Sequence, residues 1–187
     1  MAGVFAPGET QFALVAYIPA PLGDFLTRLR TELVPASRLM AHVTVLPPRV
    51  LDAPADVLSR YLETRLRRMR AFELEAGNIE IFPLTSVIFL SLIGGRGAVE
   101  DMHEELNRGA LEAGEWFEFH PHITLAQQVP ADEVLSVYDR ARTRWGQWKR
   151  SRQFPVETLT FVQNVGGRGW ETVSEHNLSA ASLLKTV

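Results

Sequence analysis

Hydrophobic and polar positions alternate along the chain with two periods, one typical of strands and one typical of amphipathic helices. The first half begins with a short apolar run rich in aromatic and β-branched residues, which predicts a strand. Strand-like and helical stretches then follow in the order strand 11–18, helix 21–34, strand from His42, helix 53–69 and strand 72–82. We expect Pro47 and Pro48 to end the middle strand, because proline removes a backbone donor from a sheet.

The same order of elements returns from Ser86 onward. It consists of a strand at 86–93, a GGRG turn, a helix at 97–113, a strand at 121–126, a helix at 132–144 and a strand at 154–165. Asp132 is expected to cap the last of these helices, since its carboxylate can accept hydrogen bonds from the first free N–H groups. A final strand at 170–179 is predicted to pair with 154–165 across a second GGRG turn.

The repeated order predicts two compact lobes packed as one unit. No linker-like segment divides the halves, so we expect a single bilobal domain over 1–187, with repeat one at about 11–83 and repeat two at about 86–179. Strands joined by helical crossovers in this order fit an α+β or α/β layered arrangement with mixed or antiparallel sheets.

Each half carries a histidine and a threonine two positions apart on a predicted strand. His42 and Thr44 lie in AHVTVLPP, and His122 and Thr124 lie in FHPHITLAQQ, 80 residues later. Side chains at i and i+2 of a strand point to the same face, so each histidine shares a face with its threonine. If a pseudo-twofold axis relates the halves, the two faces converge on one cleft.

Two imidazoles and two hydroxyls in one cleft can split a phosphodiester with water. Imidazole titrates near neutral pH, so one ring can accept a proton from water while the other donates one to the leaving oxygen. The hydroxyls can stabilise charge that develops on the non-bridging phosphate oxygens. Such chemistry needs no metal and no cofactor. Either motif alone also fits an ordinary half-buried histidine, but the repetition favours a site.

The segments HVTVL and HPHITLA, each placed after a strand and a helix, resemble the paired H-x-T/S signatures of the two-histidine (2H) phosphoesterase superfamily. The similarity is greatest to its 2′-5′ RNA ligase-like and 2′,3′-cyclic phosphodiesterase branch, and it covers nearly all of the chain. It implies a bilobal α+β fold with pseudo-twofold symmetry, helices flanking the sheets, and a cleft between the lobes. It also implies a metal-free catalytic site at His42, Thr44, His122 and Thr124. Members of the RNA ligase-like branch often continue the second motif into an arginine, where this chain has Gln127.

Composition and charge exclude several classes of protein. The chain has no cysteine, which rules out disulfide frameworks, thiolate metal sites and a cysteine nucleophile. The net charge of −3 argues against broad capture of duplex DNA. We expect neither a signal peptide nor a membrane-spanning segment, because the start lacks a basic leader and no apolar run is long enough. The prediction is a cytoplasmic monomer that takes part in RNA processing.

The remaining histidines are expected to serve structural roles. His120 shares the face of His122, but its counterpart in the first half is Met40, so the repeat favours His122 as the catalytic ring. His103 is expected on a polar helix face and His176 in the last strand, both as surface or packing residues. A metal site would need a third ligand beside His120 and His122, and no aspartate or glutamate adjoins either motif.

A few residues near the motifs are candidates for substrate binding. Arg49 lies just past the first motif, Gln127 lies just past the second, and Arg96 and Arg168 lie in the two GGRG segments. These segments lack the glycine spacing and the lysine of a phosphate-binding loop, so a turn accounts for them most simply.

Arginines and lysines gather in two windows, 60–70 and 140–152. The first window fits a solvated helix face. In the second, RWGQWKR combines Trp145 and Trp148 with basic residues, which is a combination that single-stranded nucleic acid uses for stacking and charge. A tryptophan at this spacing also serves to anchor a loop to the core, so both roles stay open.

The sequence therefore predicts a metal-independent phosphoesterase that acts on a 2′,3′-cyclic phosphate or a 2′-5′ linkage, at an RNA end or in a small nucleotide. Two alternatives remain. One is a module that binds nucleotides or RNA ends without turnover, and the other is a metal-dependent hydrolase.

Overall fold

The computed structural model describes residues 9–180, which form eight β-strands, four α-helices and one short 3₁₀ helix. The first half contains β1 (Thr10–Tyr17), α1 (Leu22–Leu33), β2 (His42–Arg49), α2 (Ala55–Leu66) and β3 (Phe72–Ile81). The second contains β4 (Ile88–Gly94), α3 (Arg96–Leu106), the 3₁₀ helix Gly109–Leu111, β5 (Ile123–Ala126), α4 (Val134–Gly146), β6 (Gln153–Val156), β7 (Thr158–Val165) and β8 (Trp170–Asn177).

The strands form two four-stranded antiparallel sheets, with the orders β2-β1-β7-β8 and β5-β4-β3-β6. The two orders correspond position by position, since each begins with a histidine strand followed by the first strand of the same half. The predicted α+β fold with two related sheets is therefore confirmed. The order strand, helix, histidine strand, helix, strand also occurs in both halves, as predicted.

Each sheet contains strands from both halves of the sequence. β7 of the second half pairs with β1 of the first, and β3 of the first half pairs with β4 of the second. The two repeats at about 11–83 and 86–179 therefore interleave and do not each form one sheet. The predicted domain also includes residues 1–8 and 181–187, which lie outside the described residues. The prediction that the start of the chain carries no signal peptide concerns residues 1–8 in part.

The strand β2 runs through Pro47 and Pro48 to Arg49, so the expected end at the prolines is wrong. The reason is position in the sheet. β2 is an edge strand, and a proline on an edge strand can turn its missing donor to the open side. The register between β1 and β2 also shifts close to this point, between the pairs Leu14–Leu46 and Phe12–Arg49.

Three further boundaries differ from the predictions. The helix expected over 97–113 ends at Leu106, and Gly109 then takes a φ of +61° that starts the 3₁₀ helix. Asp132 lies just before the N-cap of α4, which is Glu133 with no side-chain cap hydrogen bond. The strand expected over 154–165 is two strands in different sheets, β6 and β7, separated at Glu157.

The first GGRG segment is a strand-to-helix junction, not a free turn. Gly94 ends β4, Gly95 is the N-cap of α3 with φ +73°, and Arg96 begins the helix. A Cβ at Gly95 would lie 2.0 Å from the Glu73 carbonyl oxygen, so only glycine fits this close approach. The second GGRG segment forms the turn between β7 and β8, as predicted.

A continuous hydrophobic cluster joins the two sheets to the helices. Fully buried examples are Leu14, Leu46 and Phe161 in the first sheet and Leu74 and Leu90 in the second. Burial of each such side chain contributes roughly 1.5–3 kcal/mol. The helices cross between the halves, because α1 packs against β5 and α3 packs against β2. The first helix of each half therefore supports the histidine strand of the other half.

Candidate active site

The two histidine strands are the edge strands of their sheets, and they contact each other. Along β2, Val43 and Val45 are buried while His42 and Thr44 are half-buried. Along β5, Ile123 and Leu125 are buried, and the neighbouring His122 and Thr124 are half-buried. Both motifs thus turn their valine, isoleucine and leucine side chains to the core and their histidine and threonine to the same side of the strand.

Both histidine rings are held by the same local hydrogen bond. Nδ1 of His42 lies 2.7 Å from the carbonyl oxygen of Met40, and Nδ1 of His122 lies 2.6 Å from the carbonyl oxygen of His120. A carbonyl oxygen can only accept, so Nδ1 carries the proton in each ring. Nε2 is consequently the nitrogen that can gain or lose a proton in both motifs.

The second motif adds one contact between its own members. The Thr124 hydroxyl lies 3.1 Å from Nε2 of His122, where it can donate to the neutral ring. In the first motif the ring of His42 meets the edge of Tyr17 at 6.1 Å between centroids. Tyr17 lies opposite His42 in the β1–β2 register, and Thr44 lies opposite Val15.

Burial lowers the pKa of both rings. The pKa of His42 falls to about 4, mainly through desolvation, and the pKa of His122 falls for the same reason. The carbonyl hydrogen bonds oppose this, since they favour the protonated ring. The positive charge of Arg30 lowers both pKa values further, and a charge on His122 lowers that of His42. The two rings and Arg30 therefore form one electrostatic group.

Arg30 is the residue of this group that the sequence pattern alone did not reveal. It lies on α1 and is buried, and its Nη1 donates a hydrogen bond to the Thr124 carbonyl oxygen on β5. A signal for it exists in the sequence. Arg30 occupies a helical position between Leu26, Leu29 and Leu33, inside the apolar stripe of α1.

An aromatic wall adjoins the second motif. Phe82 and Phe89 stack with their ring centroids 3.9 Å apart, and both present edges or faces to His122 at 4.9 Å and 5.2 Å. The ring of His120 contacts the same pair at 5.2 Å and 5.8 Å. His120 thus contributes its carbonyl oxygen to His122 and its ring to the aromatic wall.

Arg49 is buried and bonded within the protein. Its Nε donates to the Pro47 carbonyl, Nη1 to Asn107 Oδ1 and the Leu111 carbonyl, and Nη2 to Glu115 Oε1 at 2.7 Å. These bonds occupy four of its five N–H groups and join β2 to the segment after α3. A role in substrate binding, predicted for Arg49, finds no support in this geometry.

His103 is buried, so its expected place on a polar helix face is wrong. Its Nδ1 lies 2.8 Å from the Val45 carbonyl oxygen of β2, and its ring stacks on Phe119 with centroids 3.7 Å apart. Nε2 lies 3.5 Å from Glu115 Oε2. His176 is also buried, with Nε2 2.8 Å from the Ser174 hydroxyl, in agreement with the packing role predicted for it.

The other candidates for substrate binding are exposed. Arg96 pairs with Glu100 at 2.7 Å, and its charge lowers the pKa of His120, after the larger effect of burial. Arg168 lies in the β7–β8 turn and donates to the Val165 carbonyl at 3.4 Å. Gln127 lies just beyond β5. A role of Arg96 and Gln127 toward a substrate stays a prediction.

The tryptophans of the second basic window anchor it to the core. Trp145 is buried and donates from Nε1 to the Gly77 carbonyl at 3.0 Å. Trp148 is half-buried, packs on Phe25 with ring centroids 4.9 Å apart, and donates to the Ser151 carbonyl. Both residues therefore anchor the window to the rest of the protein.

Within residues 9–180, no group of three histidine, aspartate or glutamate side chains is arranged to hold a metal ion. In the same part of the chain, every helix is too short or too polar to cross a membrane.

Comparison with known proteins places this pair of motifs in a family. A family model described as the 2′-5′ RNA ligase superfamily matches residues 18–168, which include both histidine strands. The chain belongs to the 2′-5′ RNA ligase superfamily. The resemblance to 2H phosphoesterases that the motifs carry is confirmed by this match. Membership in the superfamily supports a phosphoesterase activity.

Two curated proteins are similar to most of the chain. A protein from Geobacillus kaustophilus is 23% identical over 141 residues, covering 71% of this chain and 78% of the relative. One from Halalkalibacterium halodurans is 28% identical over 140 residues, covering 70% of this chain and 78% of the relative. Both carry names that assign them provisionally to the phosphoesterases.

Solved structures share the fold. Escherichia coli LigT, crystallised with NADP+, aligns with a TM-score of 0.60 and 17% identity over 94% of this chain and 99% of LigT. A Thermus thermophilus protein aligns with a TM-score of 0.60 and 18% identity over 91% of this chain and 98% of its own. The interleaved two-sheet architecture is therefore the fold of LigT.

Proposed function

We propose that this protein is a metal-independent phosphoesterase that hydrolyses a 2′,3′-cyclic phosphate or a 2′-5′ phosphodiester bond, at an RNA end or in a small nucleotide. One observation carries the proposal. Two histidines on facing edge strands each have Nδ1 fixed by a carbonyl oxygen, which leaves Nε2 of both rings for proton transfer. Such a pair can hydrolyse a phosphodiester without a metal, because one group accepts a proton and the other donates one.

The proposed reaction is an attack of water on phosphorus. Nε2 of His42, the ring whose pKa falls to about 4, accepts a proton from water as the new P–O bond forms. Nε2 of His122 donates its proton to the ribose oxygen as the old P–O bond breaks. An anionic phosphate between the rings raises the pKa of both, which allows His122 to be protonated in the complex. The product is a phosphomonoester with a free ribose hydroxyl.

The threonines complete the proposed site. The hydroxyls of Thr44 and Thr124 lie on the same side of their strands as the rings and can donate to the non-bridging oxygens. The aromatic wall of Phe82 and Phe89 covers His122 from one side. Its low polarity strengthens the electrostatic interactions of the rings with a bound phosphate.

Ligands of LigT support the substrate class. LigT has been crystallised with 3′-AMP, with phosphate and with ATP, in addition to NADP+. All of these ligands are phosphates or nucleotides, and we extend that class to this chain. Because Trp145 and Trp148 are packed against the protein, the proposal relies on recognition of the reacting nucleotide and not on a long RNA track. A monomeric state and a cytoplasmic location stay predictions.

The test is turnover in the presence of a chelator. The purified protein is incubated with 2′,3′-cyclic AMP and, separately, with a 2′-5′-linked dinucleotide, both with excess EDTA, and the products are identified by ³¹P NMR. The double variant H42A/H122A, purified in the same way, corrects for contaminating phosphodiesterases. We expect a phosphomonoester from at least one substrate, with a rate that EDTA does not change.

Two outcomes would contradict the proposal. Binding of both substrates without turnover would favour the nucleotide-binding module. Turnover that EDTA abolishes and that zinc or manganese restores would favour the metal-dependent hydrolase.

A further inference from the structure

Arg30 is a buried cation that joins the two halves of the site. It is 3% exposed and lies on α1, in the first half of the sequence. Its Nη1 donates to the carbonyl oxygen of Thr124, in the motif of the second half. The positive charge acts on the rings of both His42 and His122.

The guanidinium of Arg30 has donors that the protein does not use. Nε is buried and donates to no atom of residues 9–180, and no carboxylate of that region forms an ion pair with Arg30. Burial accordingly lowers its pKa to about 10. A buried charge without a counter-ion destabilises the folded protein, so an anionic partner would stabilise Arg30.

The pseudo-twofold relation provides an internal comparison. The buried positions of α1 are repeated with the same spacing in α3, as Leu26, Leu29, Arg30, Leu33 and Val99, Met102, His103, Leu106. Arg30 therefore corresponds to His103, and each hydrogen-bonds a carbonyl of the opposite histidine strand. His103 has Glu115 3.5 Å from its second nitrogen and Phe119 stacked on its ring. Among residues 9–180, neither a carboxylate nor an aromatic ring pairs with Arg30 in this way.

We propose that Arg30 is the anion-binding residue of the site and donates hydrogen bonds to a non-bridging oxygen of the bound phosphate. This inference rests on the proposed function, because the anion is the phosphate that reacts between His42 and His122. A phosphate in this position supplies the counter-charge that Arg30 lacks. A guanidinium suits this role because its charge persists at every pH at which the histidines titrate.

The test measures the affinity for inorganic phosphate by isothermal titration calorimetry at pH 7.5. The variants are R30M, which removes the charge, R30K, which keeps it, and R28M as the matched control. Arg28 is exposed on the same helix and acts on neither ring. We expect the dissociation constant to rise about tenfold to a hundredfold in R30M, the range for a lost hydrogen bond to a charged group. R30K should lose less than R30M, and R28M should stay within about twofold of the wild type.

An R30M protein that is folded, judged by its amide NMR spectrum, and that binds phosphate as tightly as the wild type would overturn the inference. If R30M does not fold, the inference is tested on the wild type by NMR. Its Arg30 Nε–H resonance, assigned through the side chain, should shift on addition of phosphate and saturate with the calorimetric dissociation constant. A resonance that does not move would equally overturn the inference.

The same variants separate this inference from the proposed function. Phosphate binding that depends on Arg30, in a protein that hydrolyses neither test substrate, would support the anion site and contradict the reaction. Hydrolysis by a protein whose phosphate affinity does not depend on Arg30 would support the reaction and contradict the anion site.

Discussion

At the scale of single residues, one backbone carbonyl sets the chemistry of each histidine. Met40 and His120 differ completely in side chain, yet their carbonyl oxygens hold Nδ1 of the following motif histidine in the same way. The side chain at this position is therefore free to vary. For this reason a histidine in one half can correspond to a methionine in the other. The ring of His120 is not needed to hold His122, and it packs against the aromatic wall.

Burial of His42 should make the folded protein less stable in mild acid. The pKa of His42 is about 4 in the folded chain and about 6.5 in the unfolded chain, so the unfolded state binds more protons between these values. The free energy of unfolding should therefore fall as the pH falls from about 6.5 to about 4, and His42 should contribute no change above about pH 7. Urea unfolding at pH 7.5, 5.5 and 4.5 measures this.

The variant H42Q isolates the contribution of this ring, because glutamine does not titrate. Protonation of carboxylates and of His122 destabilises both proteins in acid. The decrease in the free energy of unfolding is therefore measured for the wild type and for H42Q, and the two decreases are compared. The wild type should lose more stability than H42Q between pH 7.5 and 4.5. Equal losses would show that His42 titrates in the folded chain as it does in the unfolded chain.

At the scale of elements, the hydrophobic pattern predicts which segments are helices and strands but not where each strand pairs. The apolar residues change phase at the boundary between β6 and β7, since Phe154 and Val156 fall on even positions and Leu159 and Phe161 on odd ones. What separates them is pairing, because β6 completes the sheet of β3 and β7 completes the sheet of β1. These partners lie far away in sequence, so the change of phase near Glu157 indicates a break but does not tell which sheet each strand joins.

Edge position explains the error at Pro47 and Pro48 in the same way. A proline argues against a strand only if both sides of the strand are paired. Whether β2 is central or at an edge is a property of the sheet, not of the segment HVTVLPPR. The N-cap rule also fails to place the start of α4. Asp132 is a residue type that commonly caps helices, but the helix begins only at Val134.

The contact between β2 and the segment after α3 depends on Arg49. Its guanidinium is buried, with its side chain 3% exposed, and it pairs with Glu115 at 2.7 Å. The variant R49M should lower the free energy of unfolding by about 3–5 kcal/mol, because it leaves a carboxylate and several carbonyls without their donor. Urea unfolding at pH 7.5 measures the loss.

The matched control is R67M. Arg67 pairs with Glu63 at 2.6 Å, but the two side chains are 74% and 51% exposed. An exposed pair contributes little, so R67M should change the free energy of unfolding by less than about 1 kcal/mol. A loss in R49M no larger than that in R67M would contradict the structural role of Arg49.

At the scale of the whole molecule, the duplicated halves supply one histidine strand each, and the two strands contact each other. The sequence predicts this arrangement because both motifs are short, local and repeated at the same place in each half. For Arg30 the sequence shows only a place inside the apolar stripe of α1, because the packing of α1 on the opposite half decides that this arginine is buried against the second motif. The same exchange of helices buries His103, which lies between Val99, Met102 and Leu106 in the apolar stripe of α3.

The central claim, that His42 and His122 act together in one step, is tested most directly by a double-mutant cycle. Hydrolysis of 2′,3′-cyclic AMP is measured as kcat/KM for the wild type, H42A, H122A and H42A/H122A, with H120A as the control for a neighbouring ring. Each single variant should lose at least about 10²-fold, the low end for lost acid–base catalysis, while H120A loses less than about tenfold. Because two groups that act in the same step fail together, the double variant should be about as slow as the slower single variant. Losses that multiply in the double variant, or a single variant that keeps activity within about tenfold of the wild type, would contradict the account.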